Sequence, residues 1–152
     1  MEANNVAEIM YGTVLSALDG LGLKYEKYEE DLVVVLGYKG DDMAHRMIIA
    51  VSPESQTLRL IEKLPFEINP EKAGDVAKAV CLINSNLLIG GFEYTLGDEI
   101  SYEIKQAFNE SIISESLVER LVKCIASSVE VYDDRLMALN KGYLKVEEIV
   151  AE

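Results

Sequence analysis

The sequence predicts an α+β domain, an antiparallel sheet with the element order α-β-β-β-β-α-β-β-α whose helices pack mainly on one face. Three observations predict it. Phe92, Tyr94 and Leu96 alternate with polar residues before Gly97-Asp98, and Ile100, Tyr102 and Ile104 repeat the alternation after it, the pattern of a hairpin with one wet face. Asn69-Pro70 sets a side-chain acceptor and a first residue without an N–H in front of a helical pattern. From Val118 an apolar stripe steps by four and three through Val122, Ile125, Val129, Tyr132, Leu136 and Leu139, wide enough to lie across a sheet.

The first helix is expected over residues 6–21, where Val6, Ile9, Met10, Val14, Leu15, Leu18 and Leu21 keep helical spacing; Asn4 or Asn5 can cap its start, and Gly20 and Gly22 end it. Four strands follow. Residues 23–28 alternate loosely, 29–31 turn, and 32–36 form a β-branched run with no polar face. Gly37 and Gly40-Asp41-Asp42 break that run, a third strand covers 44–51 up to Ser52-Pro53-Glu54-Ser55, and a fourth covers 57–64 before Pro65. The second helix begins at Pro70 and carries Ala73, Val76, Ala77, Val80, Cys81, Leu87 and Leu88, with Asn84 as a polar interruption, until Gly90-Gly91 stops it. The last helix starts near Ser114 or at Ser116, where Ser116-x-x-Glu119 has capping-box form; Leu117 and Leu121 widen its stripe, which continues past Gly142 to Tyr143. Val146, Ile149 and Val150 mark a short terminal helix. No repeat, low-complexity stretch or linker divides the chain, so residues 1–152 are read as a single domain.

Composition narrows the function. The 152 residues include 27 acidic and 14 basic side chains, a formal charge of −13, and 49% are hydrophobic. A chain of this size buries about two-thirds of its unfolded surface, so its core needs no disulfide or metal. The negative field repels phosphate backbones and anionic headgroups, and no Lys/Arg cluster reverses it, so neither nucleic acid nor membrane is an expected partner. Apolar runs such as 32–36 and 47–51 are far shorter than a membrane span requires, and Met1-Glu2-Ala3-Asn4-Asn5 has no signal-peptide pattern. Cys81 and Cys124 lack Cys-x-x-Cys spacing and read as reduced core or near-core thiols of a cytoplasmic protein.

Chemistry-bearing motifs are sparse. His45 is the single histidine, and one imidazole without Cys or His spacing around it predicts no zinc or iron site. The glycines form no phosphate loop, and Glu29-Glu30-Asp31, Asp41-Asp42 and Asp133-Asp134 read as solvated turns or helix faces without calcium-loop spacing. No catalytic residue, cofactor or metal is expected, and the chain reads as a non-enzyme.

Several segments resemble the YbjN-like family. These are Ile83-Asn84-Ser85-Asn86-Leu87-Leu88-Ile89-Gly90-Gly91-Phe92-Glu93-Tyr94, then Asp98-Glu99-Ile100-Ser101-Tyr102-Glu103, and the closing Val131-Tyr132-Asp133-Asp134-Arg135-Leu136 with Gly142. The family similarly carries an Asn-containing helix end, a Gly-x-Phe-Glu strand and a returning strand with Tyr; in the closing helix it more often has Asp before Tyr, the reverse of the order here. The resemblance implies the fold of type III secretion chaperones, no catalytic residues and a regulatory role. The related chaperones are small, acidic, cytosolic dimers that hold extended client segments.

Strands 32–36 and 47–51 are apolar at both parities, so both sheet faces there call for cover. Three helices cover one face; the other is left for a tail, a second subunit or a partner. The expected function is therefore a non-catalytic, chaperone-like or regulatory protein-binding module. Its partner or homodimer surface is drawn from Val33, Val35 and Ile48 on the strands, Val76 and Val80 on the second helix, and Val118, Val122, Ile125 and Val129 on the last. The alternative is a small-molecule sensor or minor enzyme with a pocket between sheet and helices, where His45, Asn84, Asn86 and nearby tyrosines converge.

Overall fold

Alternating side chains sort the strands into one sheet with two unlike faces. A computed structural model describes residues 3–40 and 44–150, in the order α1 (Ala3–Gly20), β1 (Tyr25–Tyr28), β2 (Val33–Lys39), β3 (Ala44–Ser52), β4 (Thr57–Glu67), α2 (Ala73–Asn84), β5 (Gly91–Thr95), β6 (Glu99–Ala107) and α3 (Glu115–Asn140). The strands form a single six-stranded sheet of order β1-β2-β3-β4-β6-β5, antiparallel throughout. Asp41 and Asp42 lie outside the described residues.

One sheet face is the core. Val34 and Leu36 of β2, Met47, Ile49 and Val51 of β3, Leu58, Leu60 and Leu64 of β4, Phe92 of β5 and Ile100, Tyr102 and Ile104 of β6 are all buried. The three helices pack on them, with Val6, Met10, Val14 and Leu18 of α1 and the full stripe of α3 facing inward. α3, about 39 Å long at 1.5 Å per residue, is tied at both ends. Ser114 Oγ accepts from Leu117 N at 3.1 Å to cap its start, while Asn140 accepts from Asn69 N at 2.7 Å and donates to Glu67 O at 2.9 Å at its finish.

Element ends differ from the sequence pattern for local reasons. Asn69 Oδ1 accepts from Glu71 N at 3.1 Å, as expected, but residues 70–72 form a 3-10 turn before α2 begins. α2 stops at Asn84, six residues before Gly90, because the Asn84 side chain bonds both backbone groups of Phe92, accepting at 2.8 Å and donating at 2.9 Å. Leu88, placed on the helix by periodicity, is 98% exposed in the following loop. Pro65 does not end β4, which runs on to Glu67 through an irregularity between Lys63 and Glu67. Leu96 lies exposed in the turn of the β5–β6 hairpin rather than on its apolar face. α3 is capped by Ser114 rather than through a Ser116 capping box, and it ends before Gly142: that residue adopts φ +84°, and Tyr143 N reaches back to Ala138 O at 2.8 Å, the left-handed stop that glycine permits. The terminal segment is a single 3-10 turn, Val146–Glu148, seated by buried Val146 and Ile149.

Candidate functional site

Two places in the fold carry more than packing. The first is the sheet face opposite the helices. Register aligns Tyr28, Val33, Ala50, Arg59 and Lys105 in one row, and Glu26, Val35, Ile48, Ile61 and Glu103 in the next. An apolar band therefore crosses β2, β3 and β4, bordered on the β6 side by ion pairs: Arg59 to Glu103 at 2.8 Å, Lys105 to Glu93 at 2.9 Å, and Lys63 to Glu99 at 2.5 Å. A groove of about 540 Å³ opens at one end of the band, lined by Arg46, Ile48, Ile61, Lys63, Pro65 and Phe66 among others. Lys39, Arg46, Arg59, Lys63 and Lys105 occupy outward positions on this face against Glu26, Glu67, Glu93, Glu99 and Glu103. Its charges therefore balance, unlike those of the whole chain.

The nine sequence-derived contact residues divide between the two sides. Val33 and Val35 are half-buried and Ile48 is 38% exposed, all on this open face. Val76, Val80, Val118, Val122, Ile125 and Val129 are buried in the chain's own core, so they present no surface to a second subunit. The reason is economy of apolar area: a stripe wide enough to cover a sheet is consumed by covering it.

The second place is a polar cluster under the C-terminal half of α3. His45 continues the inward parity of Met47, Ile49 and Val51, and Glu62 that of Leu58 and Leu60, so two ionisable groups enter the apolar layer. His45 Nδ1 lies 2.8 Å from Glu62 Oε2, Tyr38 donates its hydroxyl to Glu62 Oε1, and the Tyr38 ring stacks on the imidazole at 5.0 Å. Burial raises the Glu62 carboxyl above its ordinary range, opposed by the bonds from Tyr38 and His45. Burial, followed by the bond to Glu62, lifts the Tyr38 hydroxyl well above an ordinary tyrosine. Across the cluster, His45 Nε2 stands 3.7 Å from Glu130 Oε2 and 3.8 Å from Asp133 Oδ2. Burial also raises Asp133, whose Oδ1 accepts from Asp134 N.

Asp133 is a correction to the sequence reading, since it is buried rather than on a solvated helix face. A signal for it existed. It falls four residues after Val129 and three before Leu136, on the apolar stripe, just as Glu62 takes an inward turn in β4. The pocket expected between sheet and helices is not assembled from its named residues: Asn84 is engaged with the Phe92 backbone and Asn86 is exposed. Of the cysteines, Cys124 is half-buried beside Ile89 O at 3.9 Å, whereas Cys81 is exposed, on the outer side of α2 rather than in the core.

A six-stranded antiparallel sheet with one helix-covered face places the chain in the α+β class. The chain belongs to the YbjN family, whose model matches residues 12–137 and is described as "Putative bacterial sensory transduction regulator". Among solved structures it is similar to YbjN from E. coli, described as "a putative transcription regulator", with a TM-score of 0.55 at 13% identity, covering 82% of this chain and 92% of that one. At that identity the likeness concerns the fold. No curated protein matches the chain. No helix among the described residues is long and apolar enough to cross a membrane.

Proposed function

We propose that the chain is a non-catalytic regulatory module that holds an apolar protein segment on the open face of its sheet. The observation that carries this reading is the band of Val33, Val35, Ile48 and Ile61 left uncovered by any described element and flanked by Arg46, Arg59 and Lys63. Docking onto the face is favoured over strand addition. The edge strands β1 and β5 are four and five residues long and carry Glu26, Lys27 and Glu93, short charged edges of the kind that resist pairing. The charged side chains around the band are largely paired with one another, so the apolar band is what selects the client. The non-catalytic reading is supported by the seclusion of the single imidazole, whose side chain is 3% exposed.

The test is selection of random peptides on the full chain, followed by titration of the enriched peptides against wild type, Ile48→Glu/Ile61→Glu and Arg46→Glu. Enriched peptides should be rich in apolar residues, and each variant should weaken them at least about tenfold, the scale of a buried anchor contact. Equal binding to wild type and variants overturns the reading. So does a chain that sediments as a dimer which the Ile48→Glu/Ile61→Glu change dissociates, because a second copy then occupies the face.

A further inference from the structure

We propose that His45, Glu130 and Asp133 form a binding site for a zinc ion, with Glu62 orienting the histidine. The argument starts from the imidazole. Its Nδ1 is committed to Glu62, and a metal-ligating histidine characteristically donates its other ring N–H to a carboxylate in this way. With Nδ1 engaged by Glu62, Nε2 is the ring atom left facing the two carboxylates and so the one available to a cation held between them. Nε2 is buried and has no hydrogen-bond partner among the described residues. The 3.7 and 3.8 Å separations are too long for hydrogen bonds, which end near 3.2 Å. They are close to ligand-to-ligand spacings around zinc: bonds of about 2.0–2.1 Å hold neighbouring ligand atoms roughly 3.3–3.6 Å apart at tetrahedral to trigonal angles. One atom from each of the three residues lies within 4.8 Å of the other two.

Position and charge agree with this assignment. Glu130 and Asp133 sit three apart on α3 and so share a face, while His45 approaches from β3 beneath them. Two carboxylates balance a divalent ion, and the imidazole selects zinc over magnesium or calcium, which prefer oxygen ligands throughout. The backbone leaves room at the same point. A Cβ on Gly40 would stand 2.5 Å from both His45 Nε2 and Glu130 Oε2, so the glycine keeps a cradle open there. Glu130 is one-third exposed, which provides an entry path from solvent.

The experiment titrates zinc into the chelator-stripped full chain in competition with a chromogenic zinc indicator. The expected result is one zinc per chain at micromolar affinity or tighter, with excess magnesium failing to compete and cobalt giving the visible d–d bands of a low-coordinate site. Glu130→Gln and Asp133→Asn should each weaken zinc by at least about tenfold, and Glu62→Gln, whose contact with the imidazole is at the far ring nitrogen, by about 10- to 100-fold. Gly40→Ala retains all three ligands but fills the cradle, and should abolish binding. Thermal melting in EDTA separates lost ligation from lost folding, and Glu130→Gln, at a partly exposed position, should melt like wild type. Substoichiometric zinc in wild type overturns the proposal, as does wild-type affinity in Glu130→Gln, Asp133→Asn and Gly40→Ala.

Discussion

Tyr102 is fully buried at the centre of the core, edge-on to Phe92 at 4.9 Å between ring centroids, and its hydroxyl donates to Ile89 O at 2.5 Å. Burial raises that hydroxyl above the ordinary tyrosine value of 10.0. The sign of the linkage follows directly. Above pH 10 the unfolded chain releases this proton while the folded chain keeps it, so the stability contributed by Tyr102 is complete below pH 10 and is lost as pH rises past it. In urea titrations across the alkaline range, Tyr102→Phe should flatten the fall in stability by up to about 1.4 kcal/mol per pH unit. An unchanged slope would remove the assignment. The same residue-scale logic governs His45 and Glu62, where an inward parity rather than any motif decides that an ionisable group is buried.

At the scale of elements, the end of α2 shows how a single side chain overrides periodicity. The apolar spacing runs on through Leu87 and Leu88, yet Asn84 closes the helix by serving both the N–H and the C=O of Phe92 and so sets where β5 begins. Asn84→Ala leaves those two backbone groups without their partner, both of them on the buried Phe92 of β5. The expected cost is about 1–3 kcal/mol, read as a lower urea midpoint with an unchanged denaturant slope. α3 was legible almost whole, since Val118, Val122, Ile125, Val129, Leu136 and Leu139 all face the core. What its stripe did not reveal is whether that apolar width serves the sheet or a second subunit, because periodicity records how much surface an element must bury and not against what.

For the whole molecule, acidity and the uncovered sheet face belong together. A net charge of −13 opposes compaction through self-repulsion, while the exposed ion pairs of the outer face return little stability. Raising salt from near zero to about 0.15 M, where the Debye length is about 8 Å, should therefore raise the urea midpoint of the full chain. A fall in midpoint over that range would show that surface pairs outweigh repulsion. The open face is an exception to that field, its five basic side chains balanced by Glu26, Glu67, Glu93, Glu99 and Glu103.

The sequence by itself determined the element order, the α+β class, the family and the apolar band at Val33, Val35 and Ile48. All of these depend on neighbours within a few residues, through the two-residue period of strands and the 3.6-residue period of helices. Tertiary structure alone decided that α2 and α3 spend their stripes on their own sheet. It also brought His45, Glu62, Glu130 and Asp133 together from β3, β4 and α3. No local spacing relates residues 45 and 133. Their meeting depends on strand register and on where a 26-residue helix crosses the sheet, and both are set by packing across the whole chain.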